Sequence, residues 1–223
     1  ARLLAEAASE ATAAGRRFAL ALPGGSSPLP VYRLLAAGGP MHAAIPWAET
    51  EVFFVDERCV PPEHAESNFR SAREHLLDRV PVAPEHVHRM RGELPPAEAA
   101  EAYAAVLADR LPASPDGLPI LDCALLGLGE DGHVASLFPN APTLDPDAPE
   151  QRRPVLAVRD APKPPPDRIT LSLATLNAAR RAVLLAFGPG KAEAVRRLVH
   201  EPRTPALPAS LLRPANKLVL VAD

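Results

Sequence analysis

The residues most suited to chemistry lie in the segment LLGLGEDGHVASLFP, residues 125–139. An apolar run ends there in three glycines, Gly127, Gly129 and Gly132, and His133 follows directly. Such a run is typical of a buried strand that reaches the edge of a sheet, where ligands of open α/β sheets bind. Because an imidazole exchanges protons near neutral pH, His133 is predicted to be a general acid or base. A loop histidine satisfied by ordinary hydrogen bonds is the alternative.

A second candidate is the segment PGGSSP at residues 23–28, which lies between an apolar stretch and a helical one. Gly24 and Gly25 let the backbone approach a ligand closely, and N–H groups at the start of a helix favour a phosphate. Ser26 and Ser27 add hydroxyl donors. The segment lacks the lysine of a P-loop, so a plain turn with a helix cap is the alternative.

Charged residues follow another apolar stretch. Arg58 is suited to hold an anion in bidentate geometry, and Asp56 is suited to act as a base or to orient His133. Together with Glu57 they could equally form a surface charge cluster. Ser67 is interpreted, with its neighbour Asn68, as a helix cap.

Two further cations are candidates for an anion site. Arg168 precedes a predicted strand, and Lys191 begins a predicted helix. A lysine at a helix N-terminus opposes the helix dipole, an arrangement that a bound anion would relieve. Solvated surface charges are the alternative for both residues.

Two other kinds of site find little support. A Ser-His-Asp triad assembled from Ser26 or Ser136 with His133 and Asp56 lacks the G-x-S-x-G elbow. No cluster of histidine, cysteine and acidic residues has the spacing of a metal site, so no metal is expected.

The elements that would position these residues alternate along the chain. Predicted helices cover 2–14, 29–36, 67–77, 97–110 and 191–200, and predicted strands cover 18–22, 51–55, 121–126, 155–158, 169–173, 183–187 and 217–222. Strands that alternate with helices indicate βαβ units and a mostly parallel sheet, the α/β class. The proline-rich segment 161–166 is interpreted as a loop within one domain.

Composition limits the function classes. A chain of 223 residues fits one domain, 1–223. A net charge of −3 argues against a nucleic-acid partner, and no apolar run approaches the length of a membrane span. No secretory signal opens the chain, and Cys59 and Cys123 are interpreted as reduced thiols, which indicates the cytoplasm.

Five blocks of the sequence together resemble one family. LALPGGSSP, FFVDERCVPPEHAESNFR, DCALLGLGEDGHVASLFP, DRITLSLATLNAARRAVLLAFGPGKAEAV and LPASLL are similar to successive blocks of the 6-phosphogluconolactonases, which are related to glucosamine-6-phosphate deaminases. The resemblance runs from about Phe18 to the C-terminus. Pro23 departs from it, since lactonases often have serine there.

Two blocks separate these relatives. The deaminases typically continue the DGH segment toward N-E-P, whereas this chain continues Ser136-Leu137-Phe138-Pro139. They also carry Asp-Glu-Tyr where this chain has Asp56-Glu57-Arg58. Both differences favour a lactonase.

The resemblance implies a Rossmann-like three-layer α/β sandwich, with helices on both faces of the sheet. It implies hydrolysis of 6-phospho-D-glucono-1,5-lactone to 6-phosphogluconate, the second step of the oxidative pentose phosphate pathway, without a metal or organic cofactor. His133 would deprotonate water, and Asp56 and Arg58 would complete the catalytic set. By resemblance to the deaminases, the phosphate would be held by Ser26, Ser27, Arg168 and Lys191, and the predicted binding site also includes Gly24, Gly25, Gly129, Asp131 and Gly132.

The expected partner is therefore the small-molecule substrate 6-phosphogluconolactone, with no nucleic acid and no membrane, for a monomer or weak homodimer in the cytoplasm. Two alternatives remain open. One is a glucosamine-6-phosphate deaminase-like isomerase, in which Asp56 would move a carbon-bound proton. The other is a non-catalytic sugar-phosphate-binding domain.

Overall fold

Short apolar stretches build the central sheet of the structure, a computed structural model that describes residues 1–145 and 147–223. In chain order the described helices and strands are α1 (Arg2–Ala13), β1 (Phe18–Leu22), α2 (Leu29–Ala36), α3 (Pro40–Ala43), β2 (Thr50–Phe54), β3 (Asp56–Arg58), α4 (Asn68–His75), α5 (Pro96–Arg110), β4 (Cys123–Gly127), β5 (Val155–Val158), β6 (Arg168–Leu171), α6 (Leu173–Ala178), β7 (Arg181–Ala186), α7 (Ala192–His200) and β8 (Lys217–Ala222).

The main sheet has the order β2-β1-β4-β7-β8 among the described residues, and each neighbouring pair is parallel. Strands β1, β2 and β7 are buried along their whole length. Parallel strands covered on both faces read as near-continuous apolar runs, which is why the sequence marks them. The predicted α/β class with a mostly parallel sheet is confirmed.

The strand order changes direction at β1. Strand β2 pairs on one side of β1, and β4 pairs on the other side. The segments that follow β1 and β4 therefore diverge, and they leave a crevice at the carboxyl ends of these strands. The fold thus brings the PGGSSP turn and the segment that carries His133 to one place.

A second, antiparallel sheet has the order β3-β6-β5. The strands predicted at 155–158 and 169–173 thus lie outside the parallel sheet. A loop, and no helix, connects β5 to β6, and strands joined in this way pair antiparallel. Strand β3 was not predicted at all, because its three residues are all charged.

Capping explains one boundary that differs from the sequence prediction. Strand β6 ends at Leu171 since Ser172 caps α6, its hydroxyl accepting from the backbone N–H of Thr175 at 3.1 Å. The predicted cap of α4 is confirmed: the Ser67 hydroxyl accepts from the N–H of Arg70 at 3.1 Å. That helix ends at His75, two residues earlier than predicted.

None of the helices among the described residues is long and apolar enough to cross a membrane.

Candidate active site

A cleft opens at the carboxyl ends of β1 and β4, where the strand order changes direction. It has a volume of about 160 Å³. Ten residues of the predicted site line it: Gly24, Gly25, Ser26, Ser27, Asp56, Arg58, Gly129, His133, Arg168 and Lys191. Two others, Asp131 and Gly132, are not among the lining residues and shape the turn that carries His133.

Glycines allow that turn to close around the imidazole ring. The N–H of Gly129 donates to the carbonyl of His133 at 2.8 Å, and the N–H of Gly132 donates to that of Gly129 at 3.0 Å. Gly132 has φ +85°, and a Cβ there would collide with Leu207. A Cβ at Gly129 would overlap the His133 ring and the Asp131 carboxylate.

His133 is held by one nitrogen. Its Nδ1 lies 2.5 Å from Oδ1 of Asp131, which also accepts from the backbone N–H of His133 at 3.3 Å. Since a carboxylate only accepts hydrogen bonds, Nδ1 carries the proton and Nε2 keeps its lone pair. No hydrogen-bond partner for Nε2 lies in the described part of the chain, so this nitrogen is available to a ligand or a water.

Burial sets the protonation state of the ring. It lowers the pKa of His133 below the ordinary value, against the hydrogen bond and the charge of Asp131. Lys163 lowers the same pKa further, with its ammonium 3.4 Å from Oδ2 of Asp131. Burial would raise the pKa of Asp131, but the hydrogen bond and charge of His133 outweigh burial and lower it. Near neutral pH the pair is therefore a neutral imidazole beside an ionised carboxylate.

Two of the three charged residues of β3 are buried, which excludes the surface-cluster interpretation: Asp56 is 5% exposed and Glu57 is 2% exposed, and Arg58 is half-buried. Successive side chains of a strand point to opposite faces. Asp56 and Arg58 accordingly line the cleft, whereas Glu57 turns toward the start of α4.

Glu57 caps α4. Its carboxylate accepts from the backbone N–H groups of Asn68 at 2.7 Å and Phe69 at 2.8 Å, from that of Arg58 at 2.8 Å, and from the Ser67 hydroxyl at 3.0 Å. Burial raises its pKa, and the backbone hydrogen bonds act in the opposite direction. Glu57 therefore fixes the position of Asn68 and of the main chain at Arg58.

Asn68 is a cleft residue that sequence reasoning missed, since it was interpreted only as part of a helix cap. Its amide Nδ2 donates to the main-chain carbonyl of Asp56 at 2.9 Å and to Oδ1 at 3.1 Å. The Ser136 hydroxyl donates to Oδ2 at 2.7 Å. Both carboxylate oxygens of Asp56 are thus engaged. A Cβ at Gly24 would overlap the Asn68 side chain, so this amide can take its position only because residue 24 is a glycine.

Two arginines lie opposite each other on neighbouring strands of the second sheet. Arg58 of β3 pairs directly with Arg168 of β6. Like charges directly opposite destabilise a sheet, and a bound anion would relieve the repulsion. Arg58 donates from Nη1 to the carbonyl of Glu66 at 2.6 Å, and its buried Nε has no hydrogen-bond partner within residues 1–145 and 147–223.

Arg168 also fastens the proline-rich loop. Its guanidinium donates to the carbonyls of Lys163, Pro164 and Pro165 at 2.9, 3.1 and 3.0 Å. It lies 5.4 Å from the centre of the Phe138 ring. Burial, followed by the charge of Arg58, lowers its pKa from the ordinary value. Most of its donors are therefore committed within the protein.

Lys191 is less committed. It ends the 3₁₀ turn Pro189–Lys191 and precedes α7, and its ammonium has no ion pair within the described residues. The cleft thus brings together three cations from separate elements.

Nucleophilic arrangements are not formed. In the described chain no serine is hydrogen-bonded to His133, and Ser136 donates to Asp56. Burial raises the pKa of Cys59 to about 11 and that of Cys123 to about 12, so both thiols stay protonated at neutral pH. No group of three or more His, Cys, Asp or Glu side chains in the described residues is placed to hold a metal ion.

Comparison with known proteins identifies similar chains. The sequence model of the family described as glucosamine-6-phosphate isomerases/6-phosphogluconolactonase matches residues 1–221. The human 6-phosphogluconolactonase is 41% identical over 215 residues, which cover 96% of this chain and 81% of the human one. The structure of a 6-phosphogluconolactonase from Trypanosoma brucei superposes with a TM-score of 0.85 at 29% identity and covers 100% of this chain and 89% of its own. That from Thermotoga maritima gives 0.80 at 30% identity, covering 97% and 90%.

Proposed function

This chain belongs to the family of glucosamine-6-phosphate isomerases and 6-phosphogluconolactonases, and we propose that it hydrolyses 6-phospho-D-glucono-1,5-lactone to 6-phospho-D-gluconate. The observation that carries the proposal is an imidazole held at Nδ1 by Asp131, whose Nε2 has no partner among the described residues, in a cleft that also holds Arg58, Arg168 and Lys191. A base on water and cations for a phosphate are what the hydrolysis of a phosphorylated lactone needs. The reaction would serve cytoplasmic sugar-phosphate metabolism, as the second step of the oxidative pentose phosphate pathway.

His133 acts as the general base. Its Nε2 takes a proton from a water, whose oxygen attacks the lactone carbonyl carbon. Asp131 holds the ring through Nδ1 and stabilises the imidazolium that forms. The tetrahedral intermediate collapses as the bond to the ring oxygen breaks, and His133 returns the proton to that oxygen. General-base assistance of this kind contributes about 10²- to 10⁴-fold.

The carbonyl oxygen gains negative charge during the attack and needs donors that are already in place. The buried, unpartnered Nε of Arg58 and the backbone N–H groups of the glycine turns are the candidates. Asp56, whose carboxylate lies in the same cleft, accepts a hydrogen bond from the attacking water and orients it.

The phosphate binds to Lys191 and Arg168 with the hydroxyls of Ser26 and Ser27. The serines lie in the loop between β1 and α2, and backbone N–H groups at the start of a helix favour an anion. Because this phosphate lies at the far end of the substrate from the reacting carbonyl, its binding energy positions the carbonyl against the water.

Replacing Lys191 with glutamine raises KM for the phosphorylated lactone about 10- to 100-fold, since a hydrogen bond to a charged group is lost, and changes kcat much less. Initial rates over a range of lactone concentrations measure both constants. Glucono-1,5-lactone, which has no phosphate, is the matched control: its kcat/KM should not change. An equal loss for both lactones would remove Lys191 from the phosphate site.

Replacing Lys163 with methionine raises the pKa of His133, because a positive charge that opposes the imidazolium is removed. The base works only when neutral, so the acid limb of kcat/KM moves to higher pH. Lys163→Arg keeps the charge and should keep the wild-type profile. Both variants retain the main-chain carbonyl that binds Arg168. An acid limb that stays in place or moves to lower pH in Lys163→Met would contradict this coupling.

The same cleft could serve an aldose–ketose deaminase only if Asp56 were free to remove a carbon-bound proton. Both of its carboxylate oxygens accept hydrogen bonds from Ser136 and Asn68, which favours an orienting role. Incubation with glucosamine 6-phosphate and measurement of ammonia, in parallel with the lactone and measurement of 6-phosphogluconate, separates the two activities. We expect product only from the lactone, and ammonia release without lactone hydrolysis would overturn the proposal.

A further inference from the structure

Ser136 connects the turn that carries His133 to the carboxylate of Asp56. We propose that Ser136 is a positioning residue: its hydroxyl holds the Asp56 carboxylate in the orientation that accepts a hydrogen bond from the attacking water. This inference rests on the proposed lactone hydrolysis and assigns the role of a buried hydroxyl that the mechanism has not used.

The hydrogen bond joins two distant parts of the chain. Oγ of Ser136 donates to Oδ2 of Asp56 at 2.7 Å, across 80 residues of sequence. Ser136 is 2% exposed and Asp56 is 5% exposed, so water does not compete for the contact. Hydrogen bonds in which one partner is charged are about twice as strong as neutral ones. The hydroxyl is therefore a strong constraint on where the carboxylate points.

A second donor completes the constraint. The Asn68 amide donates to Oδ1 of Asp56 at 3.1 Å, from the first turn of α4. Two donors from different elements fix the plane of the carboxylate, and each oxygen keeps further lone-pair capacity. Because Asp56 lines the cleft, a water bound there can use that capacity.

The backbone conformation of residues 133–137 positions the Ser136 hydroxyl. Val134 and Leu137 form a β-bridge around a tight turn, and Ala135 lies in the left-handed region with φ +49°. This conformation is unfavourable for a residue with a Cβ and persists where the surrounding structure enforces it. The N–H of Ser136 donates to the Thr170 hydroxyl at 3.2 Å, which holds the turn against β6. The turn thus places His133 in the cleft and Ser136 against Asp56 of β3.

Loss of the Ser136 hydroxyl leaves one carboxylate oxygen without its donor. The carboxylate can then rotate out of the orientation that the two donors fix. Rotation misplaces the acceptor that orients the water. It affects the chemical step, since the phosphate and its cations are untouched.

A double-mutant cycle tests the inference, with kcat and KM for the phosphorylated lactone measured in wild type, Ser136→Ala, Asp56→Asn and the double variant. We expect Ser136→Ala to lower kcat about 10- to 100-fold, the range for a lost hydrogen bond to a charged group, with KM nearly unchanged. Because Ser136 acts through Asp56, the double variant should have the kcat of Asp56→Asn.

Thr170→Val is the matched control, since it removes the other hydrogen bond of Ser136 and leaves its hydroxyl in place. We expect a much smaller loss of kcat. Ser136→Cys keeps the volume but offers only a weak donor, and serves if Ser136→Ala does not fold; we expect it to lose kcat as well.

Wild-type kcat in Ser136→Ala or Ser136→Cys would overturn the inference alone. Losses that multiply in the double variant, or an equal loss in Thr170→Val, would also overturn it, because they would show that Ser136 acts independently of Asp56 or only through the fold of the turn. Absence of lactone turnover in the folded wild type would instead overturn the proposed function, together with this inference.

Discussion

Replacing His133 with alanine lowers kcat for lactone hydrolysis by about 10²- to 10⁴-fold, with binding of 6-phosphogluconate nearly unchanged. The ring supplies the free Nε2 that accepts the proton of the attacking water. The groups proposed to bind the phosphate lie on other elements, after β1, on β6 and before α7. The base is therefore removed without loss of the binding site.

Two measurements separate the expected outcomes. Steady-state rates give kcat, and isothermal titration of 6-phosphogluconate gives the affinity of each variant for product. His200→Ala is the matched control, since His200 is exposed at the end of α7 and is not among the cleft-lining residues. A His133→Ala enzyme that keeps wild-type kcat would remove the general base from the mechanism. Loss of product affinity with loss of activity would point to a collapsed cleft.

Replacing Glu57 with glutamine lowers the free energy of unfolding by about 2–4 kcal/mol. Four donors converge on the two carboxylate oxygens: the N–H groups of Arg58, Asn68 and Phe69, and the Ser67 hydroxyl. A glutamine presents an NH₂ group at one of these oxygen positions, so at least one buried donor loses its acceptor. Such an unsatisfied group costs about 1–3 kcal/mol, and the N-terminal capping of α4 is weakened in addition.

Urea unfolding measures the change, with the slope of the transition checked for constancy so that the midpoint reports stability. Glu63→Gln is the matched control, because Glu63 is an exposed partner of Arg73 and exposed ion pairs contribute little. Equal midpoints for Glu57→Gln and wild type would contradict the capping role.

The central sheet was predictable because its strands are apolar runs that parallel sheets require on both faces. Strand β3 was not, since its Asp-Glu-Arg sequence has no apolar residue and its position depends on pairing with β6 and on the hydrogen bonds of Glu57. The direction in which β5 and β6 pair is likewise absent from their local sequence. Serine is a common helix N-cap. Identifying Ser172 as one would have ended the predicted β6 at the correct residue and would have indicated α6.

The same distinction applies to the cleft. Glycines, serines and charged residues next to apolar runs could be placed at one edge of the sheet, and the structure brings ten of the predicted residues into one cleft. Contacts between distant residues could not be read from the sequence. The Asn68 amide against Gly24, the Ser136 hydroxyl on Asp56 and the three carbonyls on Arg168 all depend on tertiary packing. Asp131 was assigned to the substrate site from the sequence, which did not show that its carboxylate contacts Nδ1 of His133.

The most direct test is the rate at which 6-phosphogluconolactone, freshly generated by glucose-6-phosphate dehydrogenase, disappears in the presence of this protein. Spontaneous hydrolysis in the same buffer is subtracted. The proposed function predicts a saturable rate that rises in proportion to protein concentration, with 6-phosphogluconate formed in equal amount. A rate equal to that of buffer alone, with protein shown to be folded, would contradict it.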